Sequence, residues 1–343
     1  MYKNILINQL NNIGDVLLTI PAIALLRKAY PQAKITLMVV ARVAPLFENH
    51  PLIDEVLVFD YKNKKCKKWQ IFRYICAQKY DLNISLDFRL RPLALVMASG
   101  IAKRITGEGL YQYKAQWYRG FFTERYDITG QYQTDHQVET FGKIMRGFLK
   151  LAPEVQLGKP TLAAPTQQAI LKAAQLMPGE KKKVLFCIRG THPEKNWERE
   201  KFAQVIQELQ KQQALDCYLI GTPADYEYAQ GLVYRLAPGS VVNLCGSTKL
   251  TELTALFERA DLLVTVDTGA AHIAATTNIP IISIFLCTNP VQWRPLSEKA
   301  QVLCYDWAFE RFGLEKARLE KYFTVKPEIT AVDVLTAIQA NNF

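Results

Sequence analysis

Histidine is scarce in this 343-residue chain, and cysteine is scattered. His50, His136, His192 and His272 lie far apart, and the seven cysteines (Cys66, Cys76, Cys187, Cys217, Cys245, Cys287 and Cys304) form no C-x-x-C pair. Zinc and iron–sulfur centres need closer ligands, and a secreted disulfide framework suits a smaller chain. All seven thiols are therefore expected to be reduced and to pack in the core as small apolar side chains. Long apolar runs are missing too. Stretches such as Ile279–Cys287 contain Pro or stop well short of the roughly 18 residues a spanning helix needs. Met1-Tyr2-Lys3 leads straight into Ile5-Leu6-Ile7 with no secretory h-region, so the protein is expected to stay in the cytosol. Neither G-x-G-x-x-G nor a Walker A loop occurs, and no repeat or low-complexity tract is visible.

What is present is ordinary for a folded protein in amount: 49% hydrophobic and 22% charged residues provide one substantial core per domain, with two domains the natural division of this length. The placement of charge is not ordinary. Residues 1–160 carry 23 basic and 13 acidic side chains and residues 161–343 carry 19 of each, so the whole net charge of +10 sits in the first part. Such a field attracts a polyanion or an anionic membrane surface. Nucleic acid is disfavoured as that polyanion, because no recognised nucleic-acid module accompanies the basic excess.

Short β-rich runs alternate with amphipathic stretches. Strands are predicted at Asn4–Leu10, Ala33–Val40, Glu55–Phe59 and Leu82–Asp87, and helices over Asp15–Tyr30, Val43–Asn49 and Cys66–Lys79. This βαβα order implies a parallel sheet with helices on both faces. Gly107–Gln133 reads as irregular and aromatic, and a capping box, Thr134-x-x-Gln137, opens a helix to about Leu151. Pro153, Pro160, Pro165, Pro178 and Gly179 mark a boundary, with a helix near Gln167–Leu176 inside it. A second series follows, with strands at Lys183–Ile188, Asp216–Ile220, Val241–Leu244, Asp261–Val266 and Ile281–Phe285 and helices at Lys201–Lys211 and Leu250–Arg259. The expected architecture is α/β, with two Rossmann-like, doubly wound parallel-sheet domains over residues 1–160 and 161–327. A C-terminal helix over 328–343 is free to pack back on the first of them.

In such sheets ligands bind beyond the carboxyl ends of the strands, which directs attention to the loops there. In the first, Asn11-Asn12-Ile13-Gly14-Asp15, Gly14 permits a sharp turn and Asp15 stands at the mouth of a helix, where it is either a capping group or a functional carboxylate. In the second, Arg189-Gly190-Thr191-His192-Pro193-Glu194-Lys195, backbone N–H groups, the Thr191 hydroxyl and the Lys195 ammonium suit a phosphate; the alternative is a solvated basic loop. The third, Asp267-Thr268-Gly269-Ala270-Ala271-His272, starts a helix with small residues, which suits a diphosphate, while Asp267 suits sugar hydroxyls. Its alternative is a capping Asp267 and a satisfied, half-buried His272. Thr288, in Cys287-Thr288-Asn289-Pro290, follows the next strand and is able to line the same pocket. Arg89 and Arg91 follow the strand ending at Asp87, and guanidinium groups grip phosphate bidentately, though arginines also serve solubility. Lys62, Lys64, Lys65, Lys67 and Lys68 form a basic run near Trp69 and Phe72, read as either peripheral membrane contact or a solvated helix start.

Three segments together, the run from Ile13-Gly14-Asp15 to Ile20-Pro21-Ala22, Lys195-x-Trp197 and Asp267-Thr268-Gly269-x-x-His272, resemble the bacterial lipopolysaccharide heptosyltransferases of glycosyltransferase family 9 in order and placement, across nearly the whole chain. The resemblance implies a GT-B fold, its two domains facing each other across a cleft. It implies inverting transfer from ADP-L-glycero-D-manno-heptose, with no metal and no cofactor, to a lipid A–inner core glycolipid at the cytoplasmic face of the inner membrane. By the resemblance the catalytic base falls on Asp15 and the phosphate contacts on Thr191, Lys195 and the Thr268-Gly269 helix start; Asp267, His272 and Thr288 join them as candidate donor contacts, and Gly14, Arg89 and Arg91 are the candidate acceptor contacts. Asp225 stands where relatives often carry a Glu that contacts the nucleoside. Gln9 replaces a frequent Arg, Leu18 a His of some members, and Leu286-Cys287 a Phe-Gly-Pro-type loop, while Gln292–Ser297 looks more like members that add a branch heptose. Two other readings stand beside this one: a GT-B nucleotide-sugar epimerase or transferase of another sugar, and a non-catalytic polyanion binder.

Overall fold

The computed structural model describes the chain apart from residues 1, 61–62, 64–66, 88–89, 109–115, 129–133, 307–310, 312–322 and 342. It divides into two compact units, Met1–Ala163 and Ala164–Phe343.

In the first unit six parallel strands, β1 (Asn4–Asn8), β2 (Lys34–Val39), β3 (Glu55–Val58), β4 (Leu82–Ser85), β5 (Lys103–Glu108) and β6 (Glu124–Asp127), lie in the order β3-β2-β1-β4-β5-β6. The central strand β1 buries Ile5, Leu6 and Ile7 completely, because helices cover both faces; hence its unbroken apolar run. A ladder of buried polar groups then fixes its register. Asn83 Nδ2 donates to Asn8 Oδ1 at 2.9 Å, Asn8 Nδ2 donates to Ser85 Oγ at 2.9 Å, and Thr106 Oγ1 donates to the Ser85 carbonyl at 2.9 Å. A slip of one residue would turn these groups to the other face and strand them.

The helix predicted over Asp15–Tyr30 is two helices, α1 (Ile13–Leu17) and α2 (Ile20–Ala29). Pro21, at the start of α2, has no N–H to give and its ring crowds the preceding turn, so the chain breaks at Leu18–Thr19. Thr19 Oγ1 covers the loss by donating to the Val16 carbonyl at 2.6 Å. The helix expected to open on Thr134 starts instead at Gln137, with His136 as its cap: His136 Nδ1 accepts from Val138 N at 3.2 Å.

The second unit repeats the design with seven parallel strands: β7 (Lys182–Cys187), β8 (Leu215–Leu219), β9 (Val241–Asn243), β10 (Leu262–Val266), β11 (Ile281–Phe285), β12 (Ala300–Tyr305) and β13 (Phe323–Lys326), ordered β13-β12-β11-β10-β7-β8-β9. The C-terminal helix, Ala331–Ala340, does not leave this unit for the first. It buries Val334, Ala337 and Ile338 in the same core as Phe186, Trp197 and Phe202. Trp197 fixes the way in: wholly buried, it donates from Nε1 to the Ile329 carbonyl at 3.1 Å and packs edge-to-face on Phe202.

Several elements go beyond the sequence expectation: the helices Leu90–Ala98 and Tyr226–Val233 and the strands β6, β12 and β13. The edge strand β6, Glu-Arg-Tyr-Asp, is half-exposed and has no apolar alternation to announce it. The cysteines also depart from a uniform core role. Cys187, Cys217, Cys245 and Cys304 are buried and burial pushes the last three up to about 12, but Cys76 is exposed and Cys287 only half-buried; Cys66 lies outside the described residues.

Replacing Trp197 by Phe leaves the buried Ile329 carbonyl without its donor, at a cost of about 1–3 kcal/mol. The second unit is then expected to melt about 2–10 °C lower in calorimetry; an unchanged transition would show that Trp197 does not hold the C-terminal helix.

Candidate functional site

Each sheet has one place where neighbouring strands send their connections to opposite faces, and this opens a crevice at their carboxyl ends. In the first unit it lies between β1 and β4, in the second between β7 and β10.

At the first crevice the loop after β1 is stitched to the loop after β4. Gln9, fully buried, donates from Nε2 to the Leu86 carbonyl at 2.9 Å, and Leu10 N donates to the buried Asp87 Oδ2 at 3.1 Å. Gln9 thus ties this loop to the one after β4 through its side-chain amide. Gly14 is buried in α1 and Asp15 is half-buried beside it. Asp15 does serve the helix start, accepting from Asn12 N through Oδ2 at 3.1 Å, and the Arg42 guanidinium donates to Asn12 Oδ1 at 2.6 Å. Capping and chemistry are not exclusive, since capping holds the carboxylate at the crevice. Of the basic candidates, Arg89, Lys62, Lys64 and Lys65 lie outside the described residues, Arg91 is placed by its backbone in the helix Leu90–Ala98, and Lys67 and Lys68 are exposed.

The second crevice brings together residues from three loops. Lys195, on a short 3-10 turn (Pro193–Lys195), places Nζ 2.5 Å from Oδ2 of Asp267, which follows β10. Thr288, after β11, donates its hydroxyl to the same carboxylate oxygen at 2.6 Å. Both charged side chains are largely buried, at 17% and 9% exposure, so the pair is only weakly screened. Gly190 is needed for this: a Cβ there would lie 2.7 Å from Lys195 Cβ, so a side chain would push the lysine off the carboxylate. Asn196 Oδ1 accepts from Gly190 N at 2.8 Å and sets the loop.

Thr268 caps the helix Gly269–Ala274, its hydroxyl accepting from Ala270 N at 3.2 Å. Six residues make a weak macrodipole, so positive charge at this edge comes chiefly from Lys195, with the first-turn N–H groups as directional donors. His272, on the same helix, is buried, and its Nδ1 has no hydrogen-bond partner among the described residues. Burial pulls its pKa down to about 4, with the Asp267 charge opposing and the Lys195 charge adding a smaller push in the same direction. The imidazole is therefore neutral at pH 7 and is not a satisfied side chain. Thr191 is exposed at the loop tip.

Asp225 follows β8, on a short 3-10 turn (Pro223–Asp225). Its Oδ2 takes the Thr222 N–H at 2.8 Å and the Thr222 hydroxyl at 2.6 Å, and its Oδ1 lies 3.2 Å from the Arg189 guanidinium. Arg189 and Arg199 both face the Tyr228 ring, at 5.3 and 4.8 Å from its centre. Sequence reading gave no role to Arg189 or Asn196. The position of Arg189 at the end of a strand was visible, but its carboxylate partner is on another loop. Among the described residues no three His, Cys, Asp or Glu side chains gather as a metal-binding group.

The model of glycosyltransferase family 9 (heptosyltransferase) matches residues 68–321. Lipopolysaccharide heptosyltransferase 3 of Escherichia coli is 28% identical over 337 residues, which is 95% of each chain. A glycosyl transferase family 9 structure from Veillonella parvula aligns over 99% of this chain and 97% of its own with a TM-score of 0.83 at 24% identity. The E. coli heptosyltransferase WaaC with ADP aligns over 98% and 99% with a TM-score of 0.74 at 20% identity. These likenesses establish a GT-B fold, two Rossmann-like parallel-sheet domains in one chain.

The buried His272 gives a pH test of this site. Its folded pKa of about 4 lies below its ordinary value of 6.5, so the unfolded chain takes up a proton that the folded one refuses, and stability is lost as pH falls through that window. Between pH 7 and 4.5 the native protein is expected to lose about 2–3 kcal/mol more than a His272→Gln variant in urea unfolding. Equal losses would mean that His272 is not held neutral.

Proposed function

The chain belongs to glycosyltransferase family 9, the heptosyltransferases of lipopolysaccharide core assembly, and we propose that it moves a heptose from ADP-L-glycero-D-manno-heptose to a phosphorylated lipid A–inner core acceptor, with inversion and without a metal ion. The observation that carries this reading is the group of Lys195, Asp267 and Thr288 at the β7–β10 crevice, next to the N–H groups at the start of the helix Gly269–Ala274. ADP in the similar WaaC structure supports an adenosine diphosphate leaving group.

In this reaction the acceptor hydroxyl oxygen attacks the anomeric carbon of the heptose, and the bond from that carbon to the diphosphate oxygen breaks on the opposite side. Asp15 takes the hydroxyl proton as the new bond forms. Charge develops on the departing diphosphate, and Lys195, the Thr268 and Thr191 hydroxyls and the Gly269 N–H meet it there; with a full cation and fixed donors in place, the chemistry requires no divalent ion. Lys195 has three donors and spends one on Asp267, so the others are open to phosphate oxygens. Asp267 accepts from heptose hydroxyls, and the neutral His272 accepts through its unpartnered Nδ1. Arg91, Arg89 and the surplus positive charge of the first part draw in the phosphorylated acceptor. Asp15 belongs to the first unit, and Lys195, Asp267 and Thr288 belong to the second. The protein works in the cytosol at the inner face of the membrane that holds its acceptor.

The test is incubation with ADP-heptose and defined truncated core acceptors, with products read by mass spectrometry. One added heptose per acceptor is expected, undiminished by a chelator. Change of a UDP-sugar with no acceptor present would replace this reading by an epimerase. Asp15→Asn is expected to lower kcat by at least ~10²-fold with ADP-heptose affinity retained; near-normal turnover removes Asp15 from the mechanism. Lys195→Met is expected to weaken ADP-heptose binding in calorimetry, and unaltered affinity would place the diphosphate elsewhere.

A further inference from the structure

Between residues 61 and 80 the chain has seven basic side chains (Lys62, Lys64, Lys65, Lys67, Lys68, Arg73 and Lys79) and no acidic one. Most of the net charge of the whole protein is thus concentrated in one short segment. The structured part of that segment is α3 (Lys68–Gln78). Near its start Trp69 is 66% exposed, and its ring stacks on Phe72, one turn later, with centroids 5.2 Å apart and planes 30° from parallel. Lys67, Lys68 and Arg73 beside them are exposed. A single exposed aromatic residue needs no explanation. An exposed indole stacked on a half-buried phenyl ring among cations, with no carboxylate in twenty residues of sequence, is a different matter. Indole and phenyl rings favour the boundary between water and acyl chains, and cations favour the phosphates just outside it.

The helix also has a fixed orientation on its unit. Its last carbonyl region is tied to the amino edge of the sheet: the Gln78 carbonyl accepts from Asn4 Nδ2 at 3.3 Å, and Asp81 accepts from Lys3 N and Asn4 N at 2.7 and 3.2 Å. Eleven helical residues advance about 16 Å. Trp69 therefore lies toward the carboxyl edge, the edge that carries Asp15. Among the described residues no helix is long and apolar enough to cross a membrane, so contact through this face is interfacial.

We propose that the Trp69–Phe72 face of α3 docks on an anionic phospholipid surface, its rings entering the interface and its lysines meeting the phosphates, so that the Asp15 edge of the first unit is turned to the bilayer. This rests on the transfer reading in one respect: a membrane-anchored acceptor gives the orientation its use. The partner is identified by charge complementarity, because the exposed cations Lys67, Lys68 and Arg73 repel a second copy of the same face.

Co-sedimentation of the full chain with vesicles tests it, using phosphatidylcholine alone and phosphatidylcholine with one quarter phosphatidylglycerol. Binding to the anionic vesicles only is expected, weakening as salt rises. Trp69→Ala is expected to lower the partition coefficient at least about tenfold, and Lys67→Gln and Lys68→Gln about fivefold each. Transfer to a water-soluble, delipidated acceptor is expected to be unchanged in all three variants. Equal binding by Trp69→Ala and the native chain overturns the proposal. So does equal binding to neutral vesicles, or a Trp69→Ala effect on molecular mass by light scattering with vesicle partition intact, which assigns the face to self-association. Vesicle binding as expected with no heptose transfer upholds docking and removes only the transferase reading; transfer without vesicle binding does the reverse.

Discussion

A parallel sheet that winds outward in both directions from a central pair of strands has to part its connections there. The strands on either side of that point send their chains to opposite faces, and the space between becomes the only part of the carboxyl edge that neither layer of helices fills. In this protein the constraint operates twice, between β1 and β4 and between β7 and β10. Asp15 on one unit, and Lys195 and Asp267 on the other, follow the strands that flank these points. Their positions are consequences of winding, and the apolar strands beneath them serve mainly to make the edge rigid.

The two crevices are built by different forces. At the first, the loops are joined by neutral and charge-assisted hydrogen bonds through Gln9 and Asp87, continuous with the polar ladder of Asn8, Asn83 and Ser85. Buried hydrogen bonds contribute only about 1 kcal/mol each but are costly to leave unmade, so they specify a geometry more than they stabilise it. At the second, an ion pair 2.5 Å long dominates. Its Coulomb attraction, about 6–7 kcal/mol at an effective dielectric near 20, is largely offset by removing both charges from water. A pair so balanced is ready to exchange partners. In the proposed reaction a diphosphate shares the ammonium, and the carboxylate turns to hydroxyl donors without leaving an unpaired charge behind.

Burial also separates the roles of residues that look alike in sequence. Trp197 and Lys195 are two positions apart in one motif, yet the tryptophan is a core residue that ties in the C-terminal helix while the lysine reaches the crevice. Trp69, of the same residue type, is exposed among cations. Cys76 and Cys304 differ in the same way, one in water and the other held protonated by burial.

The sequence by itself determined the class of fold, the central strands and the Gly-, Thr-, Lys- and Asp-bearing loops at their carboxyl ends. Strands buried on both faces must be continuously apolar, and loops after them that bind anions need Gly, Thr, Lys and Asp at short spacing; both signals are local. It did not determine the edge strand β6, whose half-exposed residues require no pattern, nor the break before α2, where the helical periodicity runs on through Pro21. Only the tertiary structure decided which partners meet. Arg189 with Asp225, Lys195 with Asp267 and Thr288, and Gln9 with Leu86 each join loops from separate strands. Tertiary structure likewise kept the last helix in the second unit's core. These contacts depend on where strands lie in the sheet, and strand order is set by packing of the whole layer, which no short window of sequence contains.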